Sequence, residues 1–474
     1  MKKIFVNITS LAFSLALFTA THAQAQATLL AVGTLDQSRA GAWADLSGLT
    51  YTLENGVPAN SLGGFGSAIA YAGGNTFLAL PDRGPNAVSF DSNVDDTVSY
   101  INRFHTVTMD LDPNKSGTGL PFTLTPTLRA TTLLWSWTPL VYSSGAGLGV
   151  GPGAPTLNNF FQHFFTGRSD NFDPNRNSGD ANDARLDSEG MRISNDGRSV
   201  FISDEYGPYV YQFDRLTGLR LRSFQFPPCT STSPSCFFVS TLSSMGATEI
   251  AGNSVGRVAN KGMEGLAITP DGRTLVGIMQ NALIQDAAEG KAQSKLLRIV
   301  TFDIASGRAT HQYGYLLTAG SGVSEILALN DHELLVDERD GHGRANGDDA
   351  VVKQLFKIDL NGAVDISNMD ATAAISVAVN KTLFLDIVQL LTANGIAAGN
   401  IPAKIEGIAF GPDVKQGRTK LHTLWIANDN DFLQTVPDAN NNMIPNPNQF
   451  FVVGFTDADL NGSKFIPQPV RPLF

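Results

Sequence analysis

Residues 261–283 read KGMEGLAITPDGRTLVGIMQNAL. A carboxylate, Glu264, opens a short apolar stretch, Pro270-Asp271-Gly272 supplies turn chemistry, and a second apolar stretch ends in the amide pair Gln280-Asn281. Apolar runs of strand length on either side of a Pro-Asp-Gly turn predict an antiparallel hairpin. In a hairpin the start of the first strand and the end of the second lie at the same end, so Glu264 faces Gln280-Asn281.

The pattern recurs. DSEGMRISNDGRSVFISDEYGPYVYQFD begins at Asp187, VSEILALNDHELLVDERDGHG at Val323 and KIEGIAFGPDVKQGRTKLHTLWIANDNDF at Lys404. A degenerate copy, LSGLTYTLENG from Leu46, continues through SAIAYAGGNTFLALPDRGP. The acid slots are Glu189, Glu264, Glu325 and Glu406, with Ser47 in the degenerate copy. Their spacings are 264−189 = 75, 325−264 = 61 and 406−325 = 81, whereas 189−47 = 142 is about twice the mean step. One further unit is therefore expected between residues 105 and 170, where FTLTPTLRATTLLW supplies strand-like material. Several units continue into a third strand ending in Asp, as in VYQFD, RIVTFD and LFKIDL.

Repeated multi-strand units in an all-β chain predict a β-propeller, most simply six-bladed, with a two-sheet sandwich as the alternative. Loop insertions and one short helical insertion, NKTLFLDIVQLLTANG from Asn380, complete the expected architecture.

The 474 residues carry a formal charge of −11, with no Lys/Arg run outside the first three residues, which argues against nucleic acid as a partner. Lys2 and Lys3, an apolar stretch over 11–18 and small residues at Ala23, Ala25 and Ala27 form a secretory leader pattern whose apolar core is too short to span a bilayer. The expected organisation is a signal peptide over 1–25 and a single exported propeller domain over 26–474, periplasmic or extracellular, with a monomer favoured. The two cysteines, Cys229 and Cys236, stand in PPCTSTSPSCFF and are expected to close a local disulfide in an exported chain.

Radial hairpins bring the opening acid of each unit and the polar pair that closes it to one mouth of the channel. The acids expected there are Asp82, Glu189, Asp204, Glu205, Glu264, Glu325, Asp337, Glu338, Glu406 and Asp429. Crowded carboxylates stay ionised only when compensated by protons, cationic side chains or metal, and an all-oxygen set suits Ca²⁺ rather than Zn²⁺. Arg83, Lys261, Arg339, His342 and Arg344 are interleaved with them and suit an anionic substrate. The structural alternative is that each Glu bonds backbone N–H groups and each Asp caps a turn.

The ordered set DRGPN (82–86), SEGMRISNDGRSVFISDEYGPYVYQFD, KGMEGLAITPDGRTLVGIMQNAL, VSEILALNDHELLVDERD and KIEGIAF with LWIANDNDF resembles the bacterial phytase-like ("esterase-like activity of phytase") family of exported proteins. The resemblance spans residues 46–432. It implies a calcium-dependent hydrolase of phosphate esters, with Ca²⁺ held by the acid ring and a metal-activated water attacking phosphorus. Glu264, Glu189 and Arg339 are the residues expected to carry catalysis, and Arg83, Lys261, His342 and Arg344 to bind the small anionic ester. Two rivals remain: a lactonase-like propeller hydrolase using one axial metal, and a non-catalytic propeller that binds a ligand or partner with structural calcium.

Other signals are negative. There is no G-x-S-x-G elbow and no H-E-x-x-H. The glycine run SSGAGLGVGPGAP from Ser143 lacks G-K-[ST], and DPNRNSGDANDARLD from Asp173 fails as an EF-hand because Ser178 and Ala184 replace its required Gly and acid.

Overall fold

The structure is a computed structural model that describes residues 27–473 except 86–96, 147–149, 208, 225, 227–237, 241–251, 259 and 292. The leader over 1–25 and both Cys229 and Cys236 lie outside the described residues.

The chain is an all-β propeller of five four-stranded antiparallel blades. Blade I consists of Ala68–Tyr71, Thr76–Leu80, Arg103–Pro113 and Phe122–Leu133, and blade II of Ser188–Ile193, Ser199–Asp204, Tyr209–Asp214 and Arg220–Phe224. Blade III consists of Met263–Ile268, Thr274–Met279, Leu296–Asp303 and Arg308–Leu316, and blade IV of Gly322–Ala328, Glu333–Arg339, Lys353–Asp359 and Lys381–Asp386. Blade V is built from both ends of the chain: Ile405–Gln416, Thr419–Asn428 and Gln449–Phe455 are joined by the N-terminal strand Thr28–Thr34, registered from Thr28↔Gly454 to Thr34↔Gln449. The first-named strand of each blade is innermost, and these inner strands pack side by side in the order I to V and back to I. That closure leaves no inner edge exposed.

Among the described residues there is no sixth blade. The strand-like residues between 105 and 170 are the third and outer strands of blade I, and the long spacing is taken up by the connection over 134–187. Among its described residues that connection carries one small pair of strands, Trp135–Ser136 with His163–Phe164. Blade I also begins later than the degenerate copy suggests. Ser47 lies outside the blade and donates through its hydroxyl to Asp45. The expected helical insertion is split: Lys381–Asp386 is the outer strand of blade IV, and only Ile387–Ala393 is helical, capped by Asp386 accepting from Gln389 N at 2.9 Å.

The inner strands are buried on both faces, which is why they read as continuous apolar runs rather than as alternation. Each hairpin turns tightly at the face opposite the mouth, as at Thr269 N to Thr274 O, 2.9 Å. The C-terminal segment crosses that same face: Ile466 N donates to Leu329 O of blade IV at 2.8 Å, and Gln468 Nε2 and Arg471 N reach Ile193 O (2.7 Å) and Asn195 O (3.0 Å) of blade II. The opposite end carries the long connections, and there the inner strands begin.

Candidate functional site at the channel mouth

Where the hairpins of blades II to V open at the mouth, the inner strand breaks register, whereas that of blade I pairs without a break. The breaks fall between Ser188 and Met191, Met263 and Gly265, Val323 and Glu325, and Ile405 and Ile408. A bulge re-aims the side chain it carries. Close approach of neighbouring blades demands the glycines that follow: a Cβ at Gly190 would lie 2.6 Å from Leu266 N, and one at Gly265 2.7 Å from Ile326 N. The Glu-Gly pairs of the sequence are thus a mouth acid followed by a contact between blades.

Registers define two rings. Ser188 pairs with Asp204, Met263 with Met279, Val323 with Glu338 and Ile405 with Asn428. One step on, the inner strands carry Glu189, Glu264, Ser324 and Glu406, and the second strands Glu205, Gln280, Arg339 and Asp429. In blade I the turn bond Ala72 N to Thr76 O matches Ser194 N to Ser199 O, and the same offset places Ser67 and Asp82 in the two rings.

The acids and cations at this mouth are strongly coupled. Burial raises the Glu189 carboxyl well above the usual range, and Glu264, Asp187, Glu205 and Glu406 raise it further. Burial and then Glu406 push Glu264 up to about 8, against Arg339 and Gln280. Glu205 is raised well above its range by burial and by Glu264 and Asp187. Arg83 Nη1 lies 2.6 Å from Asp187 Oδ2 and also donates to Asn260. Arg339 pairs with Glu406 and donates from Nε to Ser324 Oγ at 2.6 Å.

Two acid triads stand at the mouth, each with carboxylate oxygens within 4.8 Å of one another: Asp187, Glu189 and Glu205, and Asp82, Asp429 and Asp431. They differ in compensation. Lys404 Nζ sits 2.9 Å from Asp429 Oδ2 and also pairs with Asp431, and it holds Asp429 below its ordinary range although burial acts the other way. Asp82 alongside is pushed well above its range by burial and by Asp429. In the first triad the cationic contact is Arg83 on Asp187; Glu189 and Glu205 have no ion pair among the described residues. Asp187 Oδ1 and Glu264 Oε2 are buried without a hydrogen-bond partner. An all-oxygen set with unsatisfied carboxylate oxygens fits a hard cation such as Ca²⁺, and Asp187, Glu189 and Glu205 are the residues that would hold it.

Other residues expected at the mouth stand outside the two rings or turn their side chains away from them. Glu325 is one position beyond the slot, where the other units have glycine; it turns into the channel, 3.0 Å from Arg192 Nη2, and burial raises it to about 7. Asp204 accepts from the backbone N–H of Asp187 and Tyr206, both at 3.0 Å. Glu338 points away, accepting from Tyr315 Oη at 2.6 Å and pairing with Lys381. Asp337 is buried with both carboxyl oxygens lacking a partner, and burial raises it well above its range. Lys261 is exposed on the rim, lining a cleft of about 190 Å³ with Gln280, Asn281, Ser321 and Arg339. His342 pairs with Asp348 at 2.6 Å on the surface. Arg344 donates to Gln449 Oε1 (2.9 Å) and Asn446 Oδ1 (3.3 Å) between blades IV and V.

Asp187, Lys404 and Asp431 are the mouth residues that pattern reading passed over. The first two had a signal: both stand two positions before a slot glutamate, in D-S-E-G and K-I-E-G.

The model of the family described as "Phytase-like: Esterase-like activity of phytase" matches residues 60–432. An uncharacterized secreted protein of Arthroderma benhamiae is 32% identical over 188 residues, 34% of this chain and 35% of that protein, so the match spans about a third of the relative's length. Among solved structures, a luciferin-regenerating enzyme aligns at 10% identity over 86% of this chain and 97% of its own, with a TM-score of 0.33. A gluconolactonase from Xanthomonas campestris aligns at 10% identity over 92% and 99%, with a TM-score of 0.30. No described helix is long and apolar enough to cross a membrane. With the family model covering most of the chain, the protein belongs to the phytase-like family, described as having the esterase-like activity of phytase.

Proposed function

We propose that this protein is an exported hydrolase that binds Ca²⁺ at the channel mouth and cleaves phosphate esters of a small anionic substrate. The observation that carries the reading is the Asp187–Glu189–Glu205 triad, with buried carboxylate oxygen left unpaired beside the guanidinium of Arg83. A bound divalent cation supplies neutralising charge for a phosphate and lowers the pKa of a water.

The chain's own groups do the rest. Asp187, Glu189 and Glu205 hold the cation. Arg83 and Arg339, on non-adjacent blades and each fixed by an acid, face the phosphate oxygens and stabilise charge developing on them. Lys261, on the exposed rim, meets the remainder of the anion as it enters. The Arg192–Glu325 pair and the C-terminal segment close the channel below, so substrate enters and leaves by the mouth.

The test is inorganic phosphate release from a panel of phosphomonoesters, inositol phosphates included, with Ca²⁺ and with a chelator. Release that needs Ca²⁺ and is lost in Glu189→Gln supports the proposal. No release while Ca²⁺ still raises the melting temperature would make the mouth a binding site instead, and turnover of lactones without phosphate release would replace the ester class.

A further inference from the structure

The two acid triads share a construction but not a cation. Resting on the calcium reading above, we infer that Lys404 is a built-in cation for the Asp82–Asp429–Asp431 triad, so that the mouth takes one divalent ion and not two.

Lys404 stands two positions before Glu406, the position that Asp187 occupies before Glu189. The same backbone site, repeated in blades II and V, therefore carries an acid beside one triad and an amine beside the other. At the Asp187 triad the exchange adds a third carboxylate. At the Asp82 triad it places Nζ 2.9 Å from Asp429 Oδ2 and against Asp431. The acids are arranged to receive it: Asp429 Oδ1 accepts from Asp431 N at 2.7 Å, and Asp82 Oδ1 from Gly84 N at 2.9 Å, leaving Asp429 Oδ2 for the ammonium. Asp431 presents its carboxylate from a left-handed backbone conformation, φ 51°, which aspartate adopts more readily than most side chains.

An ammonium and a divalent ion compete for the same oxygens. A lysine tethered to the inner strand is present at unit occupancy and independent of calcium concentration, so the triad keeps its shape when the other site is empty. Its side chain is a third exposed, so an ion could reach the acids once the amine is gone.

The experiment is calcium stoichiometry by calorimetric titration of the chelator-treated protein, with circular dichroism to verify folding. One ion in the wild type and two in Lys404→Ala is the expected result, with Lys404→Arg remaining at one. If Lys404→Ala folds only in the presence of calcium, that dependence supports the inference directly; if it does not fold at all, Lys404→Gln carries the same titration. One ion in both wild type and the neutral variant, or two in the wild type, overturns it. No ion in the wild type but one in Lys404→Ala would keep Lys404 as the cation of its own triad but overturn the count of one ion at the mouth, and with it the metal of the proposed function.

Discussion

Arg192 and Glu325 meet inside the channel at 3.0 Å, and the same guanidinium donates to Ile326 O (2.9 Å), Ile69 O (3.3 Å) and Ile408 O (3.4 Å). One side chain of blade II thus ties the inner strands of blades I, IV and V. Removing one partner of a buried ion pair leaves an uncompensated charge, at a cost of about 3–5 kcal/mol. Arg192→Met is expected to lose that much in denaturant unfolding, and Arg192→Met with Glu325→Leu to recover part of it. A loss below about 1 kcal/mol in the single variant would show that the carbonyls and the pair contribute little.

Gly66 packs its backbone directly against blade V. A Cβ there would lie 2.1 Å from the carbonyl carbon and 2.3 Å from the oxygen of Asn428, and backbone cannot rotate aside. Gly66→Ala is expected to cost about 3 kcal/mol or to prevent folding, at the upper end of overpacking costs. Gly341→Ala, with nothing within 4 Å of the new methyl, should change stability by less than about 1 kcal/mol. Equal melting temperatures for the two variants would remove the close-packing account of Gly66, and Gly190→Ala, whose methyl would lie 2.6 Å from Leu266 N, puts the same test to the Glu-Gly motif.

That motif explains how much was legible in the sequence. Glu-Gly with a turn a few residues on marks an inner hairpin, because acid and glycine answer to two physical demands at one bulge. Where the glycine is replaced, as by Glu325, the acid shifts one place and its side chain leaves the ring; spacing alone cannot distinguish the two. The blade count failed for a related reason. Periodicity measures chain length between hairpins, and the connection over 134–187 is as long as a blade without being one. Lys404 and Asp187 were missed although both stand two residues before a slot glutamate, because the acids they meet, Asp429 with Asp431 and Glu205, arrive from the far end of the hairpin and are neighbours only in space. The ring closure by Thr28–Thr34 is non-local in the same way.

His105 provides a pH test away from the mouth. It is buried against Phe65, ring centroids 4.7 Å apart, with Nδ1 2.9 Å from Thr131 Oγ1, and burial lowers it to about 4. The unfolded chain takes up a proton near pH 6.5 that the folded chain refuses until about 4. Its contribution to stability is therefore complete above pH 6.5 and declines as pH falls toward 4, by on the order of 3 kcal/mol in total. Asp183, raised to about 7 by burial, acts in the opposite direction over an overlapping range. The difference between wild type and His105→Gln isolates the histidine: the gap between their unfolding free energies should narrow as pH falls from 6.5 to 4, and a constant gap would remove the assignment.

Calcium dependence of stability separates the mouth acids from those that point elsewhere. A ligand that binds only the folded state stabilises it by about 2.7 kcal/mol at a concentration one hundred times its Kd. The melting temperature of the wild type is expected to rise with Ca²⁺ and to fall back on chelation. Glu189→Gln removes one oxygen charge from the triad and should abolish most of that rise. His342→Ala, whose side chain is engaged with Asp348 on the surface, should leave it intact. Glu338→Gln weakens the contacts with Tyr315 and Lys381, so it should lower the melting temperature with and without Ca²⁺ while preserving the difference between them. Loss of the calcium increment in Glu338→Gln, with its retention in Glu189→Gln, would move the cation out of the channel mouth.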